Sequence, residues 1–189
     1  DGEGHIFEES GIYFIENNDY SNLDPTNTTS NRGTGVFQSK QMVQLEGKEA
    51  NYSLNKDVEF YFNFDDATKS LNSSNAGISS QGGNMWFGSS QAVSPNEFKL
   101  VKLKQSLSLL QGKKEQREYV AGKISMMGKV DWSIDSQYII GFKYEKVSGN
   151  TYKVYVQGGL PPGQYCFVYT GNNNGLTYLS QNMVKVYDF

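Results

Sequence analysis

Seven carboxylates offer material for acid–base chemistry: Glu59, Asp65, Asp66, Glu97, Glu118, Asp131 and Glu145. Cleaving a glycosidic bond needs two carboxyls facing each other, one protonated and one ionised. No spacing in the chain sets any two of them together. Glu59 and Glu145 fall in alternating, strand-like segments, where a carboxylate serves as the wet face of a sheet. Cys166 is the single cysteine and His5 the single histidine. A thiol nucleophile needs a neighbouring base. Cys166 instead sits between Tyr165 and Phe167, inside the strongest strand pattern of the chain, and reads as a packed, inert thiol. One Cys and one His cannot build a zinc cage, and one cysteine excludes an internal disulfide. Asp19, Ser21 and Asp24 supply oxygens, as do Asp65 and Asp66, but without the spacing of a calcium loop. No glycine-rich phosphate loop and no Gly-x-Ser-x-Gly elbow is present. No metal and no cofactor is expected, and no catalytic residue is assigned.

Two aromatic residues remain as candidate ligand-binding residues. Trp86 lies in a polar stretch rich in Gly and Ser; Trp132 follows Asp131. Indoles on the loops of a β domain stack on sugar rings or anchor a protein partner. The competing expectation is that both rings plug the ends of the core.

The elements that must carry these residues are strands. The chain has 189 residues, enough for one domain with a substantial core, and 14% of them are aromatic. The net charge of −3 leaves no basic footprint for nucleic acid. No run approaches the ~20 apolar residues of a membrane helix. The start at Asp1, without Met, reads as a mature or trimmed end. Abundant Asn, Ser, Gly and Tyr with one Cys points to an exported bacterial protein, periplasmic or on the cell surface.

Residues 1–10 read as a frayed polar terminus. Residues 11–16 form the first strand, either buried on both faces or aromatic on its outer one. Residues 17–35 read as a long polar loop, and 35–46 as one or two strands with Val43 and Leu45 on one face. Residues 58–64 show the clearest alternation, Val58, Phe60, Phe62 and Phe64 inward and Glu59, Tyr61 and Asn63 toward water. Residues 65–88 are a second polar stretch. Residues 98–104 suit a centrally buried strand with lysines at its ends. Leu107 to Leu110 is the one helix candidate, with a hairpin loop as its equal. Strands are expected at 117–124, 139–145, 151–156, 164–169 and 184–189. Pro162-Gly163 predicts a type II turn with Gly163 at positive φ.

Short blocks across the chain resemble a widespread group of uncharacterised exported bacterial β-rich domains. They are Ser94-Pro95-Asn96-Glu97-Phe98, the segments 117–123 and 142–146, Leu160-Pro161-Pro162-Gly163-Gln164-Tyr165-Cys166-Phe167 and Val186-Tyr187-Asp188-Phe189, with 10–14 and 59–62 as opening strands. The group commonly has Glu where this chain has Gln164. The resemblance implies a β-rich exported domain and no particular chemistry. A looser similarity links the Pro-Gly turn and Tyr165 to immunoglobulin-like domains, where a tyrosine hydroxyl ties back to nearby backbone. Tyr165 directly precedes Cys166 rather than standing two residues before it, and the partner cysteine is missing.

The expectation is therefore an all-β chain. It forms an antiparallel β-sandwich, immunoglobulin-like in at least its C-terminal half, as a single domain over 1–189. The first 90 residues form either a smaller β portion or extra strands on the same sandwich. The expected role is a non-catalytic exported binding or structural module of the bacterial envelope, with an envelope protein or a glycan as partner. A carbohydrate-binding module using loop aromatics is the alternative, and a glycan hydrolase comes third.

Overall fold

A computed structural model describes residues 7, 9–33, 39–64, 92–108, 112–171 and 185–189. Trp86, Asp65, Asp66 and His5 lie outside them. The described strands are β1 (Gly11–Glu16), β2 (Asp19–Asn22), β3 (Thr26–Asn27), β4 (Thr29–Gly33), β5 (Ser39–Glu46), β6 (Phe60–Asn63) and β7 (Phe98–Ser108). They continue with β8 (Lys114–Ile124), β9 (Val130–Asp131), β10 (Ile139–Ile140), β11 (Lys143–Ser148), β12 (Thr151–Tyr155), β13 (Gln164–Tyr169) and β14 (Lys185–Asp188). Two single 3-10 turns, Pro95–Glu97 and Ser136–Tyr138, are the helical content among the described residues. No described helix is long and apolar enough to cross a membrane.

The strands form two antiparallel sheets. The five-stranded sheet runs β11-β12-β6-β1-β2. The second runs β3-β14-β13-β7-β8-β5-β4, with β10 added to β7 and β9 to β8. Its two ends, β3 and β4, are separated in the chain by Thr28 alone. Consecutive Cα atoms lie about 3.8 Å apart, so the ends must meet and the sheet must curl nearly into a barrel. Strands from the first 64 residues pair in both sheets with strands of the second half: β6 with β12, and β5 with β8.

This arrangement makes two apolar cores. Between the sheets, Phe60 and Phe62 of one face Phe98 and Phe167 of the other. Their rings meet edge to face, Phe60 on Phe167 at 4.9 Å, Phe62 on Phe167 at 5.0 Å and Phe62 on Phe98 at 5.2 Å. That geometry suits the aromatic quadrupole. Inside the curled sheet lie Val43, Leu45, Val101, Leu103, Tyr119, Cys166 and Val168. β7 and β13 separate the cores, which is why 164–169 reads as a near-continuous apolar run, while 98–104 keeps Phe98, Leu100, Val101 and Leu103 buried between exposed lysines.

Five expectations are corrected. Residues 17–33 are not one loop but carry β2, β3 and β4. Asn17 and Asn18, at φ 52° and 64°, make the left-handed two-residue hairpin turn between β1 and β2. These strands are polar because they lie at sheet edges, where alternation is weak. The terminus is not frayed at Phe7 and Ser10: both are buried. Phe7 stacks on Tyr13 at 4.2 Å, and the Asn63 side-chain amide donates to the carbonyls of Phe7 and Glu9. Asn63 and Tyr61 are thereby covered rather than wet. The run 139–145 is not one strand: β10 joins β7 and β11 joins β12, so the chain changes sheet around Gly141. The helix candidate is strand at Leu107 and Ser108, the last residues of β7, while Leu109 and Leu110 lie outside the described residues.

Candidate functional site

The Pro-Gly segment builds one end of the molecule. Tyr165 donates its hydroxyl hydrogen to the Pro161 carbonyl at 2.6 Å, closing the tyrosine corner. Its backbone also exchanges two 2.9 Å hydrogen bonds with Phe189. Gly163 is not at positive φ, so the type II expectation fails; Gly158 and Gly159 take φ 83° and 79° instead. Gly163 packs closely beside the corner. A Cβ there would lie 3.4 Å from the Tyr165 hydroxyl and 3.3 Å from Lys102 Cε. Tyr165→Phe is expected to cost about 1 kcal/mol, the usual worth of one such hydrogen bond. An unchanged melting curve would contradict the corner.

Beside this corner lies a cleft of about 440 Å³, walled by segment 49–58 on one side and Leu160–Tyr165 on the other. Tyr52 stands in its wall and donates to Asp24 at 2.9 Å. Under the cleft, Arg117 is buried at the end of the curled sheet. Its guanidinium donates to Asp188 at 2.6 Å, to Gln164 at 3.4 Å and to the carbonyls of Glu46 and Gly47 at 3.1 Å each. Thr26 donates to the other Asp188 oxygen, and Ala50 N–H to Gln164 at 2.7 Å. Sequence reasoning missed this node, because Arg117 and Asp188 are 71 residues apart. It also gives Gln164 a task that a Glu could share: accepting from Arg117.

Glu97 is an anchor too. Its buried carboxylate accepts from Val93 N–H at 2.6 Å and Ser94 N–H at 2.9 Å, and its carbonyl accepts from Thr170 N–H at 2.8 Å. The Ser94–Phe98 block is thus a clasp between the start of β7 and the end of β13. The other candidate carboxylates among the described residues lie apart from one another on separate strands or their flanks. Glu145 pairs with Lys153 at 2.8 Å, Glu118 accepts from Gln44 at 3.1 Å, Asp131 faces Lys123 across β8 and β9, and Glu59 is exposed. Cys166 is fully buried, and burial pushes its thiol well above the ordinary range. It therefore stays protonated, as an inert packing group does.

Trp132 is half-buried and packs against the core of the curled sheet. It rests on Gly122, where a Cβ would come within 2.9 Å of the Asp131 carbonyl and 3.4 Å of the indole. Trp86 lies outside the described residues, so the two indoles are not brought together.

The opposite end of β5 and β8 from the cleft carries a feature that the sequence reading passed over. The turn between β8 and β9 places Met126 and Met127 at its tip, 93% and 96% exposed. The turn is tightly made: Ser125 N–H donates to Lys129 O and Gly128 N–H to Ser125 O, both at 2.9 Å, and Lys129 N–H to Ser125 Oγ at 3.1 Å. Gly128, at φ 79°, supplies the left-handed step that closes it. Lys129 is exposed beside the tip, and Lys123 and Lys40 stand opposite each other just below it. The adjacent Met-Met was the legible signal, since central turn positions ordinarily hold polar residues or Gly.

Compared with known proteins, the chain matches no family model, no curated protein and no solved structure.

Proposed function

We propose that this chain is a non-catalytic exported module of the bacterial envelope, periplasmic or at the cell surface, that binds an envelope component through the Met126–Met127 tip. The observation that carries the reading is the tip itself. Two adjacent apolar side chains are held almost wholly in water by a turn with three hydrogen bonds. Single exposed hydrophobics are ordinary; an adjacent pair held out by a hydrogen-bonded turn offers a contiguous apolar surface to a partner. Burying each methionine against a partner returns about 1.5–3 kcal/mol. The exported, envelope-bound and immunoglobulin-like parts of the proposal rest on composition, on the resemblance and on the Tyr165 corner.

The second reading is a carbohydrate-binding module. It is favoured by the half-exposed Trp132 ring and by a cleft within the size of about 300–1,000 Å³ usual for small-ligand sites. Co-sedimentation with bacterial envelope fragments separates the two. Wild-type protein is expected to sediment with the fragments, Met126→Ser/Met127→Ser to stay in solution with its melting curve unchanged, and Trp132→Ala, where folded, to sediment. Loss in the Trp132 variant alone supports the carbohydrate reading. No sedimentation of the wild type contradicts both.

A further inference from the structure

We infer that the chain forms a two-fold dimer in which the outer edge of β11 pairs antiparallel with β11 of a second copy, centred on Tyr144. Among the described residues β11 pairs only with β12, at the end of the five-stranded sheet, and all six of its residues are exposed. Tyr144, at 41%, is a large aromatic left on that open edge. An unpaired edge is a template for another strand unless its side chains forbid the pairing.

The side chains of β11 forbid every symmetric register on its charged residues. In a two-fold antiparallel pair the faces of the sheet are preserved, so a residue sits opposite one of its own face. The two-fold must then pass through a residue, which meets its own copy. A centre on Lys143 sets lysine against lysine. A centre on Glu145 sets glutamate against glutamate, and one on Lys146 sets lysine against lysine again. Like charges directly opposite are unfavourable. A centre on Tyr144 sets ring against ring and places Lys143 of each copy opposite Glu145 of the other. Lys143 and Glu145 lie on the outer face, as their partners Tyr155 and Lys153 do, so both ion pairs form on one side. Glu145 already holds Lys153 at 2.8 Å, which fixes the carboxylate on that face. The irregularity between Lys146 and Ser148 ends the regular strand just beyond this stretch, limiting the joined edge to a short segment.

Sedimentation equilibrium over a range of concentrations tests the pairing. The wild type is expected to show a monomer–dimer equilibrium. Lys143→Glu and Glu145→Lys, both at exposed positions, are each expected to weaken the dimer roughly tenfold or more while leaving the circular dichroism spectrum unchanged. The double variant Lys143→Glu/Glu145→Lys restores opposite charges and recovers the dimer. An equimolar mixture of the two single variants also recovers it, because each acidic edge then meets a basic one. A wild type that stays monomeric at all concentrations overturns the inference. So does a dimer indifferent to the single substitutions, which would lie on another surface.

Discussion

Arg117→Met is expected to lower folding stability by about 3–5 kcal/mol, read from urea denaturation. The substitution keeps most of the side chain's volume, so the loss is one of charge and hydrogen bonding. Arg117 and Asp188 are 2% and 4% exposed, and the guanidinium has four protein acceptors. Removing it leaves the Asp188 carboxylate with Thr26 as its remaining side-chain donor, and strips a donor from the carbonyls of Glu46 and Gly47. An uncompensated buried charge is the costly part, not the loss of the pair itself. The double variant Arg117→Met/Asp188→Leu is therefore expected to be more stable than Arg117→Met alone. A single variant within about 1 kcal/mol of wild type would place the pair in water, as for surface ion pairs.

Phe62→Ala is expected to cost a similar amount, about 3–5 kcal/mol, the range for truncating a core phenylalanine. Phe62 is fully buried and meets three rings: Phe64, Phe98 and Phe167. Two of these belong to the opposite sheet, so the truncation opens a void at the centre of the sandwich. Neighbouring rings are rigid and fill such a void poorly, which places the cost in the upper part of the core range. The same change at Tyr144, on an exposed edge, should stay within about 0.5 kcal/mol when measured on the monomer at low concentration. Equal effects at the two sites would contradict the layered packing.

The parts of this fold legible in the sequence are those in which one strand meets one core. Phe60, Phe62 and Phe64 alternate cleanly because the inner face of β6 meets the aromatic layer, and Val43 and Leu45 alternate because one face of β5 lines the curled sheet. The corner was legible through Pro162, Gly163 and Tyr165, although Gly163 does not take the positive φ expected of it. The edge strands β2, β3 and β4 were not legible. Their pairing comes from backbone hydrogen bonds to neighbours, and their Asn, Asp, Ser and Thr side chains carry the composition of a loop. The burial of Asn63 was hidden for another reason: it depends on Phe7, 56 residues away. The Arg117–Asp188 node was invisible because nothing local marks a charge that will be buried. Of the two candidate indoles, Trp132 packs against the core of the curled sheet, as the competing expectation had it, and Trp86 lies outside the described residues. The methionine tip was present in the sequence but overlooked, since Met reads as core by default.

Methyl NMR of the five methionines tests the docking account most directly, in a titration of the intact protein with bacterial envelope fragments. The account predicts that the methyl signals of Met126 and Met127 broaden or shift on addition of fragments while that of Met42, on β5, holds its position. Broadening of Met42 to the same degree, or a tip that stays sharp while the protein sediments with the fragments, would contradict docking through the tip.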